Sequence, residues 1–265
     1  MIMTKSKTDE LGNRMKEYEA SGTSHKLDVS LPICARIDGR SFSKFTSGCE
    51  RPFDSRVSGA MRATCAYLVE QTHALIGYVQ SDEISLVFQA NEGGSVLFDG
   101  KSHKLNSVLA SMAAVKFYDE FGGSKLPAFD CRVWNVPSRM EAANTILWRA
   151  LDARKNAVSM ACRAHNSAKS MHKKNRLDQM QMLLDQGIIF DSDYTAEDRH
   201  GVFFRRVTEE TYIEDSIWEK IPEKNKPVSR MALRSKVKQI ETPFFGERKD
   251  RVEFIFGKEK EHASF

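Results

Sequence analysis

The sequence lacks the features that mark secreted, membrane-spanning and disulfide-bonded proteins. No run of about 18 apolar residues occurs, so a membrane-spanning helix is not expected. The first twenty residues are charged throughout and lack the apolar centre of a signal peptide. The five cysteines form no CxxC pair, which disfavours a disulfide framework or a zinc knuckle. These absences predict a cytoplasmic protein with no membrane partner.

A second group of absences concerns catalytic machinery. The seven histidines show no metal-ligand spacing, and no Ser-His-Asp or Cys-His arrangement is recognisable. No internal repeat or low-complexity tract interrupts the chain. With 265 residues, of which 41% are hydrophobic and 29% charged, the composition is that of a globular protein with a sizeable core.

Positive charge is concentrated in two segments. The whole chain has a formal net charge of +4, and residues 161–180 alone carry +4. Residues 221–265 carry another +4, which leaves the remainder at −4. Basic segments on an acidic body suit an anionic polymer such as RNA, although a solvated helix face is the alternative for either segment.

Hydrophobic periodicity predicts helices and strands over most of the chain. Helices are expected at Lys5–Glu19, from the N-cap Asp54 to about His73, at Ser102–Phe121, and from Arg139 to beyond Met160. Strands are expected at Leu31–Ile37, Tyr78–Gln80, Ile84–Phe88, Phe129–Val136, Gly201–Val207 and Val252–Phe256.

The order of these elements to residue 136 is β-α-β-β-α-β. This is the order of the split-βαβ, ferredoxin-like fold, an α+β class in which two helices cover one face of an antiparallel sheet. We expect residues 1–137 to form an N-terminal helix and this sheet domain. Residues 138–265 would form a helical and mixed C-terminal part that packs with it.

Two aspartates are predicted to meet at one end of the sheet. Asp38 leaves the first strand, and Asp82 lies in Ser81-Asp82-Glu83, between the two strands of the next hairpin. Antiparallel neighbours place the end of one strand beside the turn of the other, and convergent carboxylates repel unless a cation holds them. Hard oxygen ligands favour Mg²⁺, and a pair of such ions promotes phosphoryl or nucleotidyl transfer. A turn or cap role is the alternative for either aspartate alone.

Short motifs in a fixed order resemble those of the tRNA(His) guanylyltransferase family. They are Arg36-Ile-Asp-Gly-Arg-Ser-Phe42, Arg51-Pro52-x-Asp54, Gln80-Ser-Asp-Glu-Ile-Ser-Leu-Val-Phe88, Ala110-Ser111, Phe129-Asp-x-Arg132 and Trp148-Arg149-x-x-Asp152-x-x-x-Asn156. The resemblance covers about residues 28–160. It implies a polymerase-type palm that binds two Mg²⁺ ions, uses ATP and GTP or other NTPs, and acts on tRNA, in a homotetramer.

The resemblance also implies roles for individual residues. Metal ligands would be Asp38, Asp82 and the carbonyl of Gly39, with Glu83 as a third catalytic acid of undefined role. Nucleotide contacts are implied for Arg36, Gly39, Arg40, Ser41, Phe42, Arg51, Ser81, Lys104 and Asn156. Local capping is the alternative for Ser81 and Asn156, and a solvated helix position for Lys104.

RNA contacts are expected from cations in and near the basic segments. The candidates are Arg132, Arg154, Lys169, Lys173, Lys174, Arg176, Arg205 and Arg206, followed by Arg230, Arg234, Lys236 and Lys238. Such contacts to phosphates would weaken steeply with salt. The alternative use of these segments is contact between subunits.

The family's chemistry is nucleotide addition in the 3′-to-5′ direction. ATP first activates a 5′-monophosphorylated RNA end, and the 3′-hydroxyl of an NTP then attacks that end. Arg154 stands where eukaryotic members have His, and Ser43 where His is frequent. These departures favour the guanylyltransferase-like branch of bacteria, archaea or phages, and templated repair of truncated tRNAs. A palm-type nucleotidyl cyclase and a non-catalytic RNA-binding palm are the alternatives.

Overall fold

Helices and strands follow one another in the predicted order as far as residue 136. The computed structural model describes residues 7–90, 96–123, 125–240 and 243–257. The first nine elements are α1 Lys7–Thr23, β1 Ile33–Gly39, α2 Phe42–Phe45, α3 Ser55–Thr72, β2 Ile76–Gln80, β3 Glu83–Phe88, α4 Ser102–Glu120, β4 Phe129–Asn135 and α5 Arg139–His165. They are followed by α6 Arg176–Leu184, α7 Phe190–Asp193, α8 Ala196–His200, β5 Val202–Tyr212, α9 Asp215–Trp218, β6 Met231–Ile240 and α10 Arg251–Phe256.

All of these strands join one antiparallel sheet. Its order is β4-β1-β3-β2-β5-β6, so the first four strands have the ferredoxin-like arrangement that the element order predicts. β5 adds to the edge of β2 through Val202–Phe204 only, and β6 pairs with β5 along its whole length. The C-terminal part therefore extends the sheet.

The structure corrects several expectations about the elements. Val252–Phe256 lies in helix α10 and is not a strand, and β6 was not predicted at all. The short helix α2 follows β1 at residues for which the sequence predicts no helix. The sheet is also covered on both faces, because α5 and α10 pack on the face opposite α3 and α4. No helix in the described ranges is long and apolar enough to cross a bilayer.

The alternation of side chains along β1 separates the two faces. Ile33, Ala35 and Ile37 are buried in the core formed with α3 and α4. The residues between them point to the α5 face, so Arg36 and Asp38 extend towards α5 at the C-terminal end of the strand. One strand thus contributes to a core on one face and polar groups on the other.

Local signals fix the ends of the helices beside this region. Asp54 is the N-cap of α3 and accepts hydrogen bonds from the backbone N–H groups of Arg56 and Val57, as its position in the sequence predicts. The Arg56 side chain also donates to this carboxylate, and these bonds hold the pKa of Asp54 well below its usual range. Ser138 caps α5 through the N–H of Glu141.

Candidate active site

The hairpin between β2 and β3 turns through two residues, Ser81 and Asp82. Gln80 pairs with Glu83, so Glu83 belongs to β3 and is not part of the turn, contrary to the sequence-based boundary. Ser81 has φ of 53°, a left-handed conformation that usually favours Gly or Asn. Its hydroxyl donates to Asp82 Oδ1 over 3.1 Å. The turn therefore stores backbone strain at the place where it presents Asp82.

Asp38 and Asp82 converge as the topology predicts. The N–H of Gly39 donates to the carbonyl of Asp82 over 3.0 Å, which joins the end of β1 to the hairpin turn. Both carboxylates line the same cavity. Burial raises the pKa of each, and the charge of Asp38 raises that of Asp82 further. The chain thus holds two acids together at an electrostatic cost that a cation would offset.

The cavity lies between this end of the sheet and α5, and its volume is about 770 Å³. The loop after β1 forms a further wall, with Ser43, Thr46, Cys49 and Glu50 in the lining. Glu197 of α8 contributes from the far side. A cavity of this size is in the range that proteins use for nucleotide-sized ligands.

Glu83 is held by an arginine of α5. Arg149 donates two hydrogen bonds of 2.6 Å to its carboxylate and a third, of 3.1 Å, to Asp152. Burial raises the pKa of Glu83, and the bonds from Arg149 oppose that rise. This pair of hydrogen bonds joins β3 to α5, so Glu83 serves to fix α5 against the hairpin. A catalytic role for Glu83 stays a prediction.

Gly39 has no room for a side chain. A Cβ at this position would lie 2.3 Å from Cδ2 of Phe42. Phe42 is buried and packs against Phe45, Phe117 and Phe129. This ring holds the backbone beside Asp38 in place, and a nucleotide contact by Phe42 stays a prediction.

Arg36 lies under the floor of the cavity, across from Ser85 in the β1–β3 register. Its Nε and the Ser85 hydroxyl are buried with no hydrogen-bond partner among the described residues. The Arg36 guanidinium is 3.9 Å from Glu83 and 5.9 Å from the centre of the Trp148 ring. Arg36 belongs to the cavity lining, and its unpaired Nε is compatible with a polar ligand.

One face of α5 lines the cavity over much of its length. The lining residues are Arg149, Asp152, Ala153, Asn156, Ser159, Met160 and Arg163. They recur every three or four positions, which places them on one side of the helix. Arg149 was present in a motif but had no predicted role, and Ser159 and Arg163 were missed. This spacing, read on from Asn156, is the signal that would have found them.

The predicted nucleotide-binding residues divide into two groups. Residues that line the cavity are Arg36, Ser41, Phe42, Arg51, Ser81 and Asn156. Gly39 lies beside it, whereas Arg40 and Lys104 are exposed and do not belong to its lining. Lys104 is in the first turn of α4, on the helix layer opposite α5. The structure therefore does not bring Lys104 to the two aspartates.

Two of the predicted RNA-binding arginines have structural partners. Arg154 donates to Asp191 and lies over the rings of Phe190 and Phe244. Arg205 donates to the carbonyl of Phe254. Both guanidinium groups hold packed elements together, and contact with RNA stays a prediction for these two arginines.

The remaining predicted cations lie on the surface. Arg206 donates to the Glu70 carbonyl, and Arg132 is 3.2 Å from Asp130. Lys169, Lys173, Lys174 and Arg176 are exposed. The three lysines lie between α5 and α6, and Arg176 is the first residue of α6.

The donor set at Asp38 and Asp82 fits Mg²⁺. Within the described ranges, no group of three or more His, Cys, Asp or Glu side chains is arranged to hold a metal ion. The two aspartates nevertheless provide hard oxygen atoms on one cavity wall, and Gly39 follows Asp38 directly in the chain. Mg²⁺ commonly uses one or two carboxylates and takes phosphate oxygens and water for its remaining positions.

Comparison with known proteins gives one consistent family. A family model described as tRNAHis guanylyltransferase matches residues 12–137. An uncharacterized protein of Acanthamoeba polyphaga mimivirus is 27% identical over 227 residues, which are 74% of this chain and 77% of that protein.

Two solved structures match over nearly the whole chain. A bacterial tRNA(His) guanylyltransferase-like protein in complex with ATP has a TM-score of 0.77 and 28% identity, covering 94% of this chain and 100% of that one. Such a protein in complex with GTP has a TM-score of 0.71 and 30% identity, covering 93% and 99%. These matches confirm the resemblance carried by the motifs and the α+β fold class. The two-part division, the tetramer and the cytoplasmic location stay predictions.

Proposed function

Because the chain belongs to the tRNA(His) guanylyltransferase family and is thereby a nucleotidyltransferase, we propose that it extends tRNA at the 5′ end in the 3′-to-5′ direction. In the first step an oxygen of the RNA 5′-phosphate attacks the α-phosphorus of ATP, and pyrophosphate leaves. In the second step the 3′-hydroxyl of an incoming NTP attacks the activated 5′-phosphorus, and AMP leaves. The added nucleotide would be chosen by a template, as in repair of truncated tRNAs.

The observation that carries this proposal is the convergence of Asp38 and Asp82 on one cavity. Their carboxylates come from β1 and from the strained β2–β3 turn, which the Gly39–Asp82 backbone bond holds together. Acids kept side by side repel, and their arrangement is expected of residues that bind a cation in the course of function.

Asp38, Asp82 and the Gly39 carbonyl would hold Mg²⁺. When bound, a pair of such ions would lower the pKa of an attacking hydroxyl and neutralise charge on the phosphate oxygens. The protein's own contribution is positional. The Phe42 ring holds Gly39, and the Glu83–Arg149 pair fixes α5 relative to the hairpin.

Phosphate groups would be bound by cations and hydroxyls of the lining. Arg51 is exposed on the loop that faces α5, and its planar guanidinium suits two phosphate oxygens at once. Ser81 and Ser41 add hydroxyl groups near the two aspartates. The bound nucleotides of the two bacterial homologues support a nucleotide in this cavity.

Incubation with 5′-truncated tRNA, ATP, NTPs and Mg²⁺ tests the proposal. We expect products extended at the 5′ end with the wild-type protein and a loss of at least about a hundredfold, or about 2.7 kcal/mol, in Asp82→Asn and Asp38→Asn. Asp119→Asn, an exposed substitution on α4, is the control and should extend normally. Extension that survives in Asp82→Asn would contradict the site. Conversion of GTP to a cyclic nucleotide without any RNA product would favour a cyclase.

A further inference from the structure

We infer that Arg163 and the segment that follows it form a track for RNA phosphates that enters the cavity at the end away from the two aspartates. The track consists of Arg163, Lys169, Lys173, Lys174 and Arg176. This inference rests on the proposed function for the identity of the RNA and goes beyond it by naming where the RNA lies. It commits to RNA, and contact between subunits is a result of the test that would overturn it.

Charge is the first observation. Residues 163–176 contain five Lys or Arg and no Asp or Glu. All five side chains belong to exposed residues, and none has an ion-pair partner within the described part of the chain. The nearest following acid, Asp178, accepts from the N–H of Asn175 in the capping box of α6. Residues 163–176 therefore carry a net positive charge of their own, which favours a polyanion.

The segment is held in a defined position. Asn166 donates to the carbonyl of Cys162 and accepts from Gln186, which ties the end of α5 to the turn after α6. Met171 packs against the core formed by α5, α6 and α7. Asn175 caps α6. Cations on a loop anchored at both ends and in the middle lose less conformational entropy on binding than cations on a free tail.

Arg163 connects this surface with the cavity. It is the last lining residue of α5, fourteen residues after Arg149, which contacts Glu83. At ~1.5 Å per residue these two arginines are about 21 Å apart along the helix. At ~3.4 Å per nucleotide, that distance corresponds to about six nucleotides of a strand. A nucleotide bound at the two aspartates leaves the far end free, and an RNA strand is long enough to reach it.

The basic residues of β5 and of the segment 221–265 are less suitable. Lys238 pairs with Glu209, and Arg230 pairs with Asp215 and Tyr212. Arg205 and Arg206 donate to backbone carbonyl groups. Much of the charge on β5 and β6 is therefore already used within the chain, whereas that of the track is not.

The test is the salt dependence of binding to a 5′-monophosphorylated tRNA. For Lys173→Gln/Lys174→Gln we expect weaker binding and a slope of log K against log salt that is smaller by about 2, since each phosphate contact contributes about 1. Lys220→Gln/Lys224→Gln removes the same charge from exposed positions elsewhere and should leave the slope unchanged.

Arg163→Gln should lower the slope by about 1 for tRNA. Its effect should be larger on the binding of tRNA than on the binding of a 5′-phosphorylated dinucleotide, because a dinucleotide does not span the distance of about 21 Å along the helix between Arg149 and Arg163. Arg163→Lys should restore most of the slope. Circular dichroism and thermal melting of each variant check that the fold is kept.

The results separate this inference from the proposed function. If the wild-type protein extends tRNA but the track and control variants bind it with equal slopes, the track is wrong and the function stands. If the lysine pair instead changes the oligomeric state in size-exclusion chromatography, the segment is a subunit contact and the inference is overturned. If the track variants alone lose slope but no variant or wild type extends RNA, the track stands and the proposed chemistry fails.

Discussion

Replacing Arg149 by methionine removes the guanidinium that holds Glu83 and keeps a side chain of similar length on α5. The two charged groups are largely buried, with 11% of the Arg149 side chain and 15% of the Glu83 side chain exposed. The substitution leaves Glu83 with Arg36 as its nearest cation, at 3.9 Å. An acid in that position has lost its two short hydrogen bonds and is still shielded from water.

The cost follows from the burial of the pair. Breaking a buried ion pair from one side costs about 3–5 kcal/mol, because the remaining charge is left uncompensated. Arg36 reduces the penalty at Glu83, so we expect about 3 kcal/mol. A chain of this size has a urea m-value of about 3 kcal/mol/M, so the unfolding midpoint of Arg149→Met should fall by about 1 M.

A double-mutant cycle separates the pair from its members. We expect Glu83→Gln/Arg149→Met to be more stable than the sum of the two single effects predicts, by at least about 1.5 kcal/mol. Urea unfolding followed by tryptophan fluorescence measures all four proteins. Additivity within about 0.5 kcal/mol, or an Arg149→Met protein as stable as wild type, would refute the interpretation of Glu83 as a positioning residue.

Three further substitutions or reagents probe the neighbourhood. Gly39→Ala should lower activity at least about tenfold and the free energy of unfolding by about 1–3 kcal/mol, because a Cβ at this position has no room beside the Phe42 ring. In the control Gly59→Ala, in α3, the new Cβ meets nothing within 4 Å. Urea unfolding should show that this control is more stable than wild type by about 1 kcal/mol. Asp54→Asn should lower the free energy of unfolding by about 1 kcal/mol at pH 7. Because the Arg56 bond lowers the folded-state pKa of Asp54, the charged aspartate stabilises the fold above about pH 4. The difference in melting temperature between wild type and Asp54→Asn should therefore disappear as the pH falls further. Cys49 should be the one thiol of the native protein that reacts quickly with a thiol reagent at pH 8, because burial raises the pKa of the other four cysteines. ATP should slow the reaction, because Cys49 lines the cavity. Fast reaction of two or more thiols would contradict this placement.

Local signals predicted the central sheet and its helices well. Asp54 caps α3 at the expected residue, and Gly122 and Gly123 end α4 through bonds to the carbonyl groups of Asp119 and Tyr118. These are interactions between residues a few positions apart, so a sequence pattern records them directly. The meeting of Asp38 with the hairpin followed from strand order.

Long-range pairing explains what the pattern did not record. β6 is a strand of mostly exposed residues on the edge of the sheet, so its alternation does not separate an apolar face from a polar one. Its place depends on pairing with β5. Val252–Phe256 is a short apolar run, and such a run does not distinguish strand from helix until its packing against α5 is known.

In the candidate active site, too, local patterns do not record contacts between residues far apart in the chain. Ser81 occupies a left-handed position for which the preferred residues are Gly and Asn, so the two-residue turn was read as longer than it is. The partner of Glu83 is Arg149, which lies 66 positions further along the chain, and no local pattern records that pairing. The far end of the cavity was missed because Arg163 acquires its position only when α5 is laid across the sheet.

The most direct measurement uses ATP labelled at the α-phosphate with a 5′-monophosphorylated RNA and Mg²⁺, in the absence of other NTPs. We expect the wild-type protein to transfer label to the RNA as a 5′-adenylate and to release pyrophosphate in equal amount. Asp82→Asn should bind the same RNA and transfer no label. Label found only in free cyclic nucleotide, or equal labelling of RNA by wild type and Asp82→Asn, would contradict nucleotidyl transfer at the Asp38–Asp82 site.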